Sequence, residues 1–278
     1  PKHRRALNLN FQAFFEDKSR KYQSYVLQGS ANKLKALLRL FNQHEVEYGF
    51  LDQNMSITGY DYQQQRMTNT NVGKGALVVP TQQVKGKMLQ VWFEPKTALQ
   101  DSLTYDITAW SLPYAHGLQA VGTKSKIKYN PQKTTFLQQP ISSETYAWGT
   151  TYDSFEDGKF LAALLKANIK LRVSKKPFSS ADKNWKAGSL FIIRGENTTH
   201  LSFETTLNGL AKDFQKQLIP IASGYASAGP DMGSNDFQWI KTPKIAVLTE
   251  GEVSPYSYGE LWHYFEQDLN YPFHQIRE

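Results

Sequence analysis

The chain has 278 residues, enough for one large domain or two ordinary ones, and its 40% apolar and 21% charged residues exclude wholesale disorder. Cysteine is absent, which excludes disulfide bonds, thiolate metal ligands and cysteine nucleophiles. The Lys and Arg residues behind the net charge of +7 are scattered and no apolar run approaches the roughly 18 residues of a membrane span, so we predict neither a nucleic-acid partner nor a transmembrane segment.

The first part of the chain predicts a helical segment (1–21) followed by an α/β unit (22–121). The unit begins with the apolar strand SYVLQG and continues into the helix NKLKALLRLFNQH, whose apolar residues recur at i, i+3, i+4 and i+7. These residues are Leu34, Leu37, Leu38 and Phe41. EVEYGFL then alternates as a strand does, and GKGALVVPTQQ supplies a further strand before a closing helix.

A second segment (122–242) looks like a copy of the first. TYAWGT matches the first strand, EDGKFLAALLKAN the helix and IKLRVS the next strand. KAGSLFIIRGEN matches GKGALVVPTQQ, and in both a Lys and a Gly precede a four-residue apolar strand. A third unit (243–278) starts with the strand PKIAVLTEG and the helix YGELWHYFEQDLN. The alternation of strands and helices predicts an α/β fold with parallel or mixed sheets, in which the units cross over in parallel.

Two stretches resemble a known family. FEPKTALQDSLTYDITAWSLPYAHGLQA (93–120) is similar to the region that follows the catalytic domain in bacterial zinc carboxypeptidase-like metallopeptidases of the carboxypeptidase A type. PKIAVLTEGEVSPYSYGELWHYFEQDLNYP (243–272) resembles the opening of their class I glutamine amidotransferase-like part. The resemblance implies a flavodoxin-like three-layer architecture. It also implies that this chain starts after the catalytic domain, so that residues 1–21 would be a helical connector from that upstream domain.

Several functional expectations follow from this resemblance. The zinc and its ligands would belong to the upstream catalytic domain, so no cofactor is expected in this chain. The partners would be that upstream peptidase domain and a peptide substrate. The resemblance further implies export to the bacterial periplasm or cell envelope.

One H-x-x-E pair does occur here, formed by His263 and Glu266 in the last predicted helix. At i, i+3 spacing both side chains would share a helix face, as zinc ligands require. Only His274 follows, eleven residues further on, and it offers no third ligand at the usual spacing. We therefore favour an ordinary amphipathic helix, with Leu261, Trp262, Phe265 and Leu269 near the core.

The amidotransferase resemblance also suggests a nucleophile on a sharp turn between a strand and a helix. That turn would fall between Glu250 and Tyr256, where the chain has no Cys and no G-x-S-x-G frame around Ser254. We expect the fold to be present there without its chemistry.

The stretch DSLTYDITAWSLPYAHG (101–117) is the strongest remaining candidate site, and two interpretations of it are possible. In the functional one, Asp106 or Asp101 carries a proton while an aromatic wall binds the ligand. That wall would consist of Trp110, Tyr114 and His116. In the structural one, the acidic side chains cap a turn and the aromatic ones plug the sheet edge at the junction of the two α/β halves. We favour the structural interpretation.

Three hypotheses for function result. The first is a non-catalytic C-terminal scaffold or accessory region of a zinc metallocarboxypeptidase-like protein. The second is an independent α/β module that binds peptide or glycan through the stretch 101–117 and the Gly-rich loop 223–236. The third is a cryptic hydrolase that uses Asp106 and His116.

Overall fold

A computed structural model describes residues 3–15, 20–96, 111–131, 145–180 and 183–277. The chain divides into two compact units, Pro1–Thr134 and Thr135–Glu278. Each unit combines helices with an antiparallel sheet, so the fold is mixed α and β. No helix within the described residues is long and apolar enough to cross a membrane.

The first unit contains four helices and one six-stranded sheet in its described part. The helices are α1 (Arg4–Phe15), α2 (Ala31–Gln43), α3 (Gly86–Trp92) and α4 (Leu112–Ala115). The strands are β1 (Ser24–Gln28), β2 (Gly49–Phe50), β3 (Met55–Asp61), β4 (Arg66–Val72), β5 (Leu77–Pro80) and β6 (Gln119–Thr123). Their order in the sheet is β2-β5-β1-β6-β3-β4.

In its described part, the second unit contains a five-stranded sheet in the order β12-β7-β11-β8-β13, together with two small two-stranded sheets. Its helices are α5 (Phe155–Lys166), α6 (Phe203–Asp213) and α7 (Pro255–Trp262), and a 3-10 turn spans Arg194–Glu196. Its strands are β7 (Ala147–Thr150), β8 (Arg172–Ser174), β9 (Phe178–Ser180), β10 (Lys183–Trp185), β11 (Leu190–Ile193), β12 (Ile219–Ile221), β13 (Phe237–Trp239), β14 (Ala246–Leu248) and β15 (His274–Ile276).

The two units share one arrangement of four strands. In the first unit the order is β2-β5-β1-β6, and in the second it is β8-β11-β7-β12. Corresponding strands occupy corresponding places along the chain, and a hairpin, β3–β4 or β9–β10, is inserted at the same point in each. The repeat that the sequence indicates is therefore a repeat of topology.

The predicted parallel crossovers are wrong in one respect. All strand pairs in the two large sheets are antiparallel within the described residues. The strands on either side of α2, β1 and β2, do run in the same direction because both are antiparallel to β5, but β5 lies between them. The helices α2 (between β1 and β2) and α5 (between β7 and β8) thus each join strands that are not neighbours, in a split β-α-β arrangement.

The Lys and Gly that precede each of the apolar strands β5 and β11 lie in a turn, and the glycine of each turn has a left-handed backbone conformation. Gly75 and Gly188 have φ values of 82° and 87°, a conformation that glycine adopts without a steric penalty. The backbone amide of Gly75 donates to Leu51 O at 2.8 Å, and that of Gly188 donates to Ser174 O at 2.7 Å. Both turns therefore close onto the strand that precedes the hairpin.

Helices cover one face of each large sheet with the apolar stripes that the sequence predicts. In the first unit Leu37 and Phe41 of α2 pack with Leu89 of α3 against Leu27 and Leu77. In the second unit the corresponding stripe of α5 meets that of α6. The opposite face of the first sheet carries a smaller cluster that includes Val26, Ile57, Val72, Val78 and Val121.

The third predicted unit is a parallel strand–helix–strand motif at the end of the second compact unit. β14 pairs with β15 in parallel, in the register Ala246 to His274, with α7 between them in sequence. The expected core face of this helix is confirmed only in part. Leu261 is 44% exposed and Trp262 37% exposed, whereas Phe265 and Leu269 are half-buried and Leu269 packs against the core of the second unit. A two-stranded parallel sheet offers little surface for a helix to cover.

Candidate functional site

Residues 111–117 are the part of the stretch 101–117 that the structure describes, and Tyr114 among them belongs to a cluster of tyrosine side chains. α4 begins after Ser111, with Pro113 in its first turn, and Gly117 follows it at φ 57°. The Tyr114 hydroxyl donates to Tyr62 O at 3.0 Å, and the two rings lie 5.5 Å apart. The buried Tyr62 hydroxyl in turn donates to Phe93 O. The side chain of Tyr114, a predicted binding residue, thus makes a hydrogen bond and a ring contact within the first unit.

His116 ends α4 and is partly buried. Its backbone amide donates to Leu112 O at 2.9 Å, and burial lowers the pKa of its imidazole below the usual value. The other predicted residues of the stretch, Asp101, Asp106 and Trp110, lie outside the described residues. Residues 111–117 lead directly into β6, an interior strand of the first sheet, so this part of the stretch belongs to the first unit.

The pair His263 and Glu266 lies in a widened helical turn. Residues His263–Asp268 form a π-helical turn, in which hydrogen bonds run from i to i+5 and widen the spacing of residues on one face. His263 accordingly faces Asp268, with 3.4 Å between Nδ1 and Oδ2. No cluster of three or more His, Asp or Glu side chains suited to a metal ion occurs among the described residues.

The loop 223–236 is held against the second unit by its backbone. Ser227 N donates to Ser179 O at 2.9 Å, and Ser179 N donates to Ala228 O at 2.8 Å. Gly229 adopts φ 85° beside Phe178. Within the loop, Ala226 N donates to the Asp231 carboxylate at 2.6 Å. The loop thus continues the hairpin β9–β10 as an irregular strand.

A buried ion pair joins Asp157 of α5 to Lys216, which lies between α6 and β12. Lys216 also donates to Thr151 O at 2.9 Å. The second carboxylate oxygen of Asp157 accepts from the amides of Asp153 and Ser154, each at 2.9 Å, and from the Ser154 hydroxyl. Burial alone would raise the pKa of Asp157, but the ammonium and these donors hold it below its usual range.

The first unit has a contact at the same place in its fold. Ser154 caps α5 by accepting from Asp157 N, and Ser30 caps α2 by accepting from Lys33 N. The Lys33 ammonium donates to Gly117 O at 3.3 Å, just before β6, as Lys216 lies just before β12. The third residue of each helix therefore fastens the segment that leads into the corresponding strand.

A cavity that the sequence did not indicate lies on the face of the first sheet opposite the helices. It has a volume of about 220 Å³. Its apolar lining comes from Val26, Val72, Ala120 and Val121, and its polar lining from Gln28, Asp61, Gln63, Gln64, Thr70 and Gln119. These residues come from separate segments of the chain, so no sequence motif indicates the cavity.

The cavity is the concave side of a curled hairpin. Asp61 pairs across the hairpin with Arg66, and Thr70 pairs with Ile57, four positions away. Four positions of a flat strand span roughly 13 Å. The Thr70 hydroxyl nevertheless donates to the Asp61 carboxylate at 2.9 Å, so the hairpin must bend. Gly59 lies at this bend, where an added Cβ would approach Gly122 O to 2.5 Å.

Asp61 is held in a fixed orientation at the edge of the cavity. One of its oxygens accepts from the amides of Gln63 and Gln64, each at 2.9 Å, and the other accepts from Thr70. The Gln63 side chain is fastened as well, since it donates to Leu118 O at 2.7 Å and accepts from Ala120 N at 3.2 Å. The site is therefore preorganised, and its buried carboxylate can accept a further hydrogen bond.

Comparison of the chain with known protein families, curated proteins and solved structures finds no match.

Proposed function

We propose that this chain is a non-catalytic scaffold or accessory region of a zinc metallocarboxypeptidase-like protein. The resemblance of residues 93–120 and 243–272 to that family suggests the parent activity, which is zinc-dependent peptide hydrolysis. In this proposal the zinc belongs to an upstream catalytic domain, and the protein is exported to the bacterial periplasm or cell envelope.

One observation carries the non-catalytic part of the proposal. The buried pair of Asp157 and Lys216 is the kind of charged constellation that an enzyme could use for proton transfer. It lies, however, where the first unit places the contact of Lys33 with Gly117 O. The third residue of α2 and of α5 thus contacts the segment before the corresponding strand in both units, through a different interaction in each. This shared position supports a structural role for the pair.

The finer fold prediction concerns the third unit. The parallel pairing of β14 with β15 supports the proposal that this motif opens a flavodoxin-like, amidotransferase-like sheet. In that architecture parallel strands are covered by helices on both faces. The exposed Leu248 and Ile276 are consistent with further layers.

Metal analysis tests the proposal. After expression in zinc-supplemented medium and dialysis, mass spectrometry of the purified chain should find no stoichiometric zinc. One zinc per chain that is lost in His263→Ala but kept in the control His44→Ala would contradict it. The coding sequence offers a second test, because the proposal expects an H-x-x-E zinc domain upstream, and a start codon directly before Pro1 would contradict that expectation.

A further inference from the structure

The outer edge of β4 is an unusual feature of the first unit. β4 is the last strand in the order of its sheet, and no described residue pairs with its outer side. It runs for seven residues, RMTNTNV, in unbroken register with β3. Natural edge strands are commonly blunted by proline, bulges or central charges. β4 has none of these, and its only charge, Arg66, stands at one end.

The cavity described above begins beside this edge. Thr70 and Val72 line it and belong to β4. A strand added to β4 would project alternate side chains onto the sheet face that carries these two residues. In peptide recognition of this type, backbone hydrogen bonds give affinity and a pocket for an alternate side chain gives specificity. Edge and cavity together have the layout of such a site.

The size and lining of the cavity indicate which kind of peptide side chain it would bind. Its volume of about 220 Å³ is below the roughly 300–1,000 Å³ of pockets for drug-sized ligands, and it suits one long side chain. Among the described residues that line it, Asp61 is the only one that ionises. Valine side chains form an apolar wall that would contact an aliphatic stem, and the carboxylate would accept a hydrogen bond from a charged head group.

We propose that the outer edge of β4 binds an extended peptide and that a lysine or arginine of this peptide enters the cavity to bind Asp61. The site lies within the first compact unit and is independent of the proposed parent activity. It differs from both surfaces that the sequence suggested for a binding module, the stretch 101–117 and the loop 223–236.

Binding of short labelled peptides to the full chain tests the proposal. The probe is the fluorescein-labelled heptapeptide Thr-Val-Thr-Lys-Thr-Val-Thr with blocked ends, measured by fluorescence anisotropy. Replacing its lysine by norleucine keeps the stem and removes the charge, and should weaken binding about 10- to 100-fold, as expected for a lost hydrogen bond to a charged group. Equal affinity for the two peptides would overturn the assignment of the cavity.

The protein variants separate the carboxylate from the surrounding fold. Asp61→Asn keeps an oxygen for the amides of Gln63 and Gln64. It should lower the affinity for the lysine peptide by the same factor and leave the affinity for the norleucine peptide unchanged. Asp52→Asn, at an exposed position, is the matched control and should change neither. An equal loss for both peptides in Asp61→Asn would indicate a general distortion and contradict the proposed contact.

Strand pairing is tested with the unaltered protein. Two further peptides carry N-methyl groups on alternate amides, one at odd and one at even positions. Because only every second amide of an added strand faces its neighbour, one of the two should lose binding and the other should keep it. Equal binding of both would overturn the edge-strand geometry. If the chain binds none of the peptides and sedimentation shows that it dimerises, the edge of β4 would pair with a second copy of the chain. That result would also overturn the proposal.

Discussion

Removing the buried cation of the second unit should be strongly destabilising. Lys216→Met retains most of the aliphatic stem but leaves Asp157, which is 1% exposed, without its counter-ion. Breaking a buried pair from one side costs about 3–5 kcal/mol, because the remaining charge is uncompensated. The amides of Asp153 and Ser154 still solvate the carboxylate, so we expect the lower end of that range, about 3 kcal/mol.

The double variant separates the charge from the packing. Asp157→Asn combined with Lys216→Met removes both charges and keeps a side-chain oxygen at the helix N-terminus. Replacing a buried pair by neutral groups is often close to neutral, so the double variant should be more stable than either single one, with a coupling energy of about 2 kcal/mol or more. Urea unfolding, followed by the fluorescence of the buried Trp148 and Trp185, measures these differences.

The control is a surface ion pair in the same helix. Lys159 lies 3.5 Å from Glu156, and both side chains are partly exposed. Lys159→Met should cost less than about 0.5 kcal/mol, since exposed pairs contribute little. A cost for Lys216→Met no greater than that of Lys159→Met would refute the reasoning.

The pair of Asp157 and Lys216 should also make the stability of the fold depend on pH in acid. The pKa of Asp157 is lower in the folded chain than its unfolded value of 3.8, so its contribution is complete above that value and is lost as the pH falls through the folded pKa. The double variant lacks this contribution. Its urea midpoint should therefore fall less than that of the wild type between pH 5 and pH 2, and parallel curves would contradict the assignment.

Three further predictions concern other parts of the fold. Tyr62→Phe leaves Phe93 O without its buried donor and should cost about 1–3 kcal/mol in urea unfolding; an unchanged midpoint would contradict the contact. Gly229→Ala, at φ 85° with close neighbours, should cost more than about 1 kcal/mol, whereas Gly233→Ala, with open space around it, should be nearly neutral; equal effects would disprove the strain. Burial lowers the pKa of His116 below 6.5, so the wild type should lose stability as the pH falls through that value, and His116→Gln should lose less; the same loss in both would contradict this.

The helices and the duplication could be predicted because they depend on local periodicity. Leu37, Leu38 and Phe41 are buried as their spacing predicts, and Phe160 and Leu164 show the same in the second copy. The matched Lys and Gly before each apolar strand also proved informative, since both glycines adopt the left-handed conformation.

The pairing of strands could not be predicted from the same signals. β1 and β2 flank a helix and run in the same direction, which is what a parallel crossover looks like in sequence. The insertion of β5 between them depends on which strands meet in space, and apolar strands that are buried on both faces read alike in either pairing.

The candidate cavity was missed for a related reason. Its polar residues are contributed by β1, β3, β4, β6 and the turn after Asp61, and in the sequence each taken alone looks like an ordinary surface Asp, Gln or Thr. Gly59 within an alternating strand was the one available signal, because a glycine inside a strand often marks a bend. The π-helical turn at His263–Asp268 could not be predicted either, since the spacing of His263 and Glu266 suits an ordinary α-helix.

Release of C-terminal amino acids from peptides by the purified chain, with added zinc, tests the proposed function most directly. The account predicts no release above the buffer blank, with or without a chelator, because the proposed catalytic zinc belongs to an upstream domain. Zinc-dependent release that the chelator abolishes and that His263→Ala or His116→Ala removes would contradict the proposal that this chain is a non-catalytic region.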